Sequence, residues 1–444
     1  MHSNRARFQQ LSLSLGSSLI VVLALLVSLG VFASPSAQAS APPLRLTAAA
    51  GDLDPTFGAG GGVTTTASDV SDQIRATVVQ TDGKIVVVST EDTYVPPNLR
   101  PFIVMRYTAA GALDAAFGNG GIVTTNIGST YSFARAVGLQ SDGKLVVAGY
   151  ASGGGDGYDY FALARYDTNG ALDGSFGVGG VVTTDIGSRA DQIFALAIQT
   201  DTNIIVAGGS RTGSYMDFAL ARYTNNGTLD ATFGTNGIVT KSVNALDDTA
   251  YAVALQSDGK IVAAGYGGAG PYDFVLARFT FSGTLDASFG TVGKVTTDLG
   301  GNDWVYAVTV QSDGAILVGG TSSSSFALAR YTITGTLDTT FNGNGKVLTT
   351  IGSNSHAYAM VLLSNGQIVL GGDQFTGSST AALARYNGDG SLDTGFGNSG
   401  IVTGFVTGQS GFNALAVYPN NRLIAAGYTL VGGYFDSLLA RYML

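Results

Sequence analysis

The chain has no cysteine, one tryptophan, two histidines and, among 31 acidic residues, a single glutamate, Glu91. Without thiols there is no disulfide framework, and zinc sites built from Cys and His are excluded, because His2 belongs to an N-terminal leader and His356 then stands alone. A Ser-His-Asp triad would have to use His356, and no G-x-S-x-G elbow follows residue 39. Two turns, residues 387–393 and 167–173, place oxygen side chains around a glycine, but neither supplies the bidentate glutamate of an EF-hand. They read as plain turns; no cofactor is expected, and calcium is the one metal they leave open. Charged residues make up only 12% of the chain and acids outnumber bases, for a net charge of −9. Such a surface repels nucleic acid and anionic lipid, so neither is an expected partner.

What is present begins with a leader. Arg5 and Arg7 precede an apolar run over residues 19–33, and Ala37-Gln38-Ala39 offers small residues for cleavage, so residues 1–39 read as a signal peptide. The competing reading is a retained membrane anchor, since residues 11–33 could span a bilayer. Loss of residues 1–39 reduces the basic residues from 22 to 20 and leaves all 31 acids, a net of −11. Residues 40–50 form a short linker, and the expected location is secreted or at the cell surface.

Residues 51–444 are seven copies of one unit, starting near 51, 111, 170, 227, 283, 335 and 390. A Leu-Asp pair opens each copy, from Leu53-Asp54 to Leu392-Asp393. An arginine closes each, at 106, 165, 222, 278, 330, 385 and 441, followed by Tyr except at Phe279. Four strands fit within a unit. In the second copy strand a covers 121–125, b 134–140, c 144–149 and d 160–166. The b-to-c turn is Asp-Gly or Asn-Gly in five copies, pairs that accept the positive φ of a tight hairpin. Strand d is apolar on both faces, so it needs a layer above and below.

These features predict an all-β fold, a seven-bladed β-propeller of four-stranded antiparallel blades with one sequence repeat per blade. Two closures are open: face to face between blades seven and one, or strand exchange with 438–442 completing the N-terminal blade. The long d-to-a connection with Leu113 and Phe117 reads as an inter-blade crossover and favours the first. The pattern G-x-L-D-x-x-F-G-x-x-G, Q-x-D-G-K-I-x-V-x-G and F-x-L-A-R-Y, over residues 51–442, resembles the delta-60 repeat family of bacterial proteins. That resemblance implies a propeller and no general biochemical function. The departures are Asn342 in place of the F-G glycine, and Leu363 and Tyr418 in place of the glutamine before the hairpin.

An arginine at the end of an apolar strand needs a partner, because an unpaired buried guanidinium costs several kcal/mol. The acid repeated seven times is the Asp of the Leu-Asp pair. The expectation is one bridge per junction: Arg165 with Asp173, Arg222 with Asp230, and Arg441 with Asp54, for which Arg45 competes. The alternative use of these arginines is a ring binding an anion in the channel.

Strand direction separates two rims. The b-to-c and d-to-a connections repeat almost unchanged, whereas the a-to-b and c-to-d loops differ between copies. Variable loops on a rigid scaffold are where recognition is built. The candidates there are Tyr94, Tyr150, Tyr158, Tyr215, Tyr272, Trp304 and Tyr434, with Asp156, Asp191 and Asp303. Aromatic platforms beside acids suit a glycan or a cell-surface or extracellular protein. The leading expectation is therefore a non-enzymatic exported binding protein. The alternatives are a hydrolase or lyase with an Asp-based centre near the axis and a purely structural surface module.

Overall fold

The computed structural model describes residues 48–67, 71–91, 100–128, 130–153, 157–187, 189–244, 246–404 and 408–444. The leader, Arg45, Tyr94 and Asp156 lie outside the described residues. Strands β1–β28 form seven four-stranded antiparallel sheets. The first sheet has β2 (Asp72–Val79), β3 (Ile85–Glu91), β4 (Phe102–Tyr107) and β5 (Ile122–Thr125), which are strands b, c and d of one copy and strand a of the next.

The blade is thus shifted by one strand from the repeat, and this corrects the expected closure. The d-to-a segment is a wide hairpin rather than a crossover. Tyr107 bridges to Leu113, the Asp114 amide bonds to the Arg106 carbonyl at 2.8 Å, and β5 returns beside β4 with Phe102 opposite Thr125. Strand a of the first copy, β1 (Gly62–Thr65), is consequently left for the other end of the chain. It pairs with β28 (Tyr434–Met443), Gly62 opposite Ala440 and Thr65 opposite Ser437. The ring closes through backbone hydrogen bonds within one sheet built from both ends of the chain.

Seven apolar clusters fill the seven junctions between sheets, including one in which Ile74, Val87 and Met105 of the first blade meet Ala414, Ile424 and Leu439 of the last. Strands c and d are buried on both faces, as β7 (Leu145–Ser152) illustrates along its whole length. Each fully buried Val, Leu or Phe contributes about 1.5–3 kcal/mol. A hydroxyl bond joins neighbouring blades in five places: Tyr107, Tyr166, Tyr223, Tyr331 and Tyr386 each donate to a threonine of the outer strand at 2.8 Å. The copy with Phe279 instead of tyrosine has Lys241 where the threonine would stand.

On the repeat rim the closing arginines are held in one recurring arrangement. Arg222 donates through Nε to Asp230 at 2.8 Å, through Nη2 to Thr232 and through Nη1 to the Phe281 carbonyl of the next blade at 2.6 Å, with its guanidinium over Phe233. Arg165–Asp173 at 2.9 Å and Arg441–Asp54 at 2.8 Å repeat it, and Arg422 also reaches Asp54. All seven arginines pair with the aspartate of the following Leu-Asp pair, Arg330 through Nη1 while its Nε takes Gln311 and its Nη2 Asp313, so none of them faces the channel as an anion site. Asn342 keeps a φ of 49°, the left-handed conformation its glycine counterparts adopt.

Candidate functional site

The innermost strands are the b strands: β2, β6 (Ser132–Leu139), β10 (Asp191–Ile198), β14 (Asp248–Leu255), β18 (Asp303–Val310), β22 (Asn354–Leu362) and β26 (Ser410–Tyr418). Every one carries a β-bulge at the same place. The extra residues are Arg75, Arg135, Phe194, Tyr251, Tyr306, Tyr358 and Asn413, each followed by alanine. A bulge re-aims a side chain that regular pairing would keep in register, and here all seven line one axial cavity of 610 Å³. In six blades the residue opposite the bulge is glycine because the bulged strand presses a carbonyl against it. A Cβ on Gly265 would lie 1.8 Å from the Thr249 oxygen. The first blade has Ser89 there.

The bulge lies in the half of strand b nearer the a-to-b and c-to-d loops, so the cavity belongs to the variable rim. Its wall is divided by chemistry. Arg75 and Arg135 come from the first two blades, and aromatics line the third to the sixth. Phe194–Tyr251, Tyr251–Tyr306 and Tyr306–Tyr358 stand with ring centroids 4.5, 5.3 and 5.3 Å apart. Burial pushes the Tyr251, Tyr306 and Tyr358 hydroxyls above the ordinary tyrosine range, so they remain neutral donors. Among the described residues lining this cavity none is an acid.

The aromatic chain continues outward. Tyr251 meets Tyr266, which meets Tyr272 edge-on at 4.9 Å, and Tyr272 lies 6.0 Å from Trp304. On the arginine side Tyr150 accepts a bond from Arg135 Nη2 at 3.1 Å and stacks near Phe133 at 5.1 Å. Beyond them a second hollow of 490 Å³ is lined by Arg100, Tyr131 and Gln192, with Tyr131 and Gln192 both donating to Asp159 at 2.7 Å. Of the sequence candidates, Tyr150, Tyr272 and Trp304 therefore join one aromatic system with the cavity. Tyr158, Tyr215 and Tyr434 are exposed at the c-to-d connections.

Asp191 and Asp303 occupy a different role. Each opens strand b and is buried. Asp191 accepts the Ile186 and Gly187 amides and the Ser210 hydroxyl, and Asp303 accepts the Leu299 amide. They tie down the a-to-b loops. Asp248 does the same for Val243 and Asn244, and burial pushes its carboxyl up to about 6.

Asp273, Asp298 and Asp303 bring one ligand atom each within 4.8 Å of one another, and burial with mutual repulsion raises Asp273 and Asp303. In the two glycine-centred turns the oxygens are engaged locally: Asp389 accepts from Ser391, and Asp167 from the Asn169 and Ala171 amides. His356 pairs through Nδ1 with Asp373 at 3.1 Å, and Asp373 also accepts from Tyr428, which lines the cavity, at 3.3 Å.

Sequence reasoning missed the bulge ring. The signal was there: a large residue followed by alanine recurs at one place in all seven copies. It is hidden because Arg, Phe, Tyr and Asn share no chemistry, and because a bulge breaks the alternation by which strands are read.

The chain is a β-propeller repeat protein. Six stretches, residues 80–117, 140–176, 199–233, 256–289, 311–341 and 363–396, match a family model described as "Domain of unknown function (DUF5122) beta-propeller". No curated protein matches. Among solved structures, catalytically inactive virginiamycin B lyase from Staphylococcus aureus with quinupristin is similar at a TM-score of 0.51 and 10% identity, covering 86% of this chain and 98% of that one. The periplasmic gluconolactonase of Pseudomonas aeruginosa follows at 0.47 and 13%, covering 85% and 97%. Sqt1 from Chaetomium thermophilum bound to the N-terminus of ribosomal protein L10 gives 0.44 and 14%, covering 86% and 89%. At these identities the likeness is one of fold alone.

Proposed function

We propose that this is an exported, non-enzymatic propeller of the delta-60 type that binds a saccharide of a glycan or glycosylated partner in the axial cavity of its variable rim. The observation that carries the reading is the ring of bulge residues. Seven strands spend a bulge each to turn large side chains into one cavity, and successive tyrosines present neutral hydroxyls and ring faces, the chemistry that receives a sugar. Trp304, Tyr272 and Tyr150 extend that surface toward the loops. Residues 1–39 supply the export signal, and N-terminal sequencing of the secreted product should begin at Ser40.

A glycan array probed with residues 48–444 tests the reading. Binding to a restricted set of glycans is expected, and it should disappear in a Tyr251→Ala, Tyr306→Ala double variant of unchanged circular dichroism. Silence on the whole array, or undiminished binding by the variant, would overturn it.

One geometry favours a second reading. The His356–Asp373 pair resembles the oriented imidazole of a general base, and mass spectrometry of bound glycans after long incubation would detect cleavage that a His356→Ala variant lacks.

A further inference from the structure

The cavity holds a cation that the protein does not neutralise. Arg135 projects from the bulge of β6 with its guanidinium 5.6 Å from the Tyr150 ring and 5.8 Å from both Phe133 and Phe194. Of its five donors, one reaches the Tyr150 hydroxyl, and its Nε is buried without a hydrogen-bond partner. No carboxylate among the described residues pairs with it, although the chain carries 31 acids against 22 bases. The repeat rim shows how this fold treats an arginine that serves structure: each of the seven there has an aspartate within 2.9 Å. Arg75 enters the same cavity from the adjacent blade, its Nε on the Thr90 hydroxyl at 3.2 Å.

A half-buried guanidinium flanked by aromatic rings has lost part of its water, and it binds a carboxylate by two parallel charge-assisted bonds. The apolar walls around it strengthen that attraction by lowering the local dielectric. Facing it across the cavity are Tyr251, Tyr306 and Tyr358, whose hydroxyls stay protonated and whose rings can cover a sugar face. One wall is thus cationic and the opposite wall is aromatic and neutral. A ligand that satisfies both has an anionic group on one side of a ring with C–H faces and hydroxyls.

From this polarity we infer that the axial cavity is an acidic-saccharide site, in which Arg135 receives the carboxylate of a uronic acid and the tyrosines receive its ring. The inference rests on the saccharide reading above and deepens it. The net negative charge of the whole molecule repels an anion at long range, so the attraction has to come from the cavity itself, where Arg135 stands.

The test is calorimetry on residues 48–444 in 50 mM salt, with trigalacturonate, its fully methyl-esterified form and a tri-aspartate peptide as probes. The acid should bind at least about tenfold more tightly than the ester, by the strength of charge-assisted pairing, and should weaken as salt is raised. In an Arg135→Gln variant that preference should vanish while binding of the ester survives. Equal affinity of acid and ester in the native protein overturns the carboxylate site and leaves the saccharide reading standing. That comparison does not depend on the variant folding. Binding of the peptide but of neither saccharide, or of no probe at all, overturns the acidic-saccharide site, while the saccharide reading itself stands or falls with the array.

Discussion

At the residue scale, what distinguishes the two rims is how each treats an arginine. Arg222 is 1% exposed and every face of its guanidinium is taken, by Asp230, Thr232, the Phe281 carbonyl and two phenyl rings. Arg222→Ala removes all of these and strands Asp230, so a loss of about 3–5 kcal/mol is expected in chemical denaturation. Arg222→Lys keeps the charge but not the fork or the stacking, and should recover only part of that loss. A lysine variant as stable as the native protein would mean that charge alone matters at this junction. Asp248 gives a prediction of opposite sign to the aspartates of the Leu-Asp pairs. Burial holds its carboxyl near 6 against an ordinary 3.8, so the folded state binds a proton more tightly than the unfolded one. Its effect therefore favours folding below about pH 4 and weakens it, by on the order of 3 kcal/mol, as pH rises through about 6. Asp54, lowered to about 2, acts only below pH 4, where stability falls as pH falls. Denaturation midpoints measured between pH 4 and 6.5 should decline less in Asp248→Asn than in the native chain; parallel curves would contradict the assignment.

At the element scale the ring depends on β1, four residues that pair with β28. Without it the last sheet has three strands and β28 becomes a free edge. A chain beginning at residue 67 should melt well below one beginning at residue 48, and limited proteolysis should cut first within 434–443. Identical melting would show that closure rests on the face-to-face cluster alone. This element also marks what the sequence made legible and what it concealed. Strand number, blade number and the Arg-to-Asp spacing of eight residues follow from repetition, because seven copies multiply a weak pattern. The strand phase does not, since a d-to-a crossover and a wide d-to-a hairpin have the same length and the same half-buried Leu113 and buried Phe117. A further clue lay in the fourth copy, where Phe279 and Lys241 replace Tyr and Thr together. Read as a lost hydroxyl bond, that joint change would have placed strand a against the neighbouring blade's strand d. The site was legible only as a rim. Tyr150, Tyr272 and Trp304 adjoin the cavity, but the bulge residues that wall it recur without a shared chemistry and break the alternation by which strands are read.

At the scale of the whole molecule, repetition and variation are separated in space. The repeat rim carries an Arg-to-Asp pair in each of seven copies and holds the ring together, whereas the variable rim converges on a cavity whose walls are arginine on one side and tyrosine on the other. A closed ring suits that division, because side chains from seven sheets meet only at the axis, and each blade can change its contribution without disturbing its neighbours. Hydrogen–deuterium exchange of residues 48–444 with and without trigalacturonate tests this most directly. The account predicts slowed exchange in the first halves of the inner strands, around Arg75, Arg135, Tyr251, Tyr306 and Tyr358, with the Asp-Gly turns and Leu-Asp segments unchanged. Protection confined to those turns and segments would contradict it.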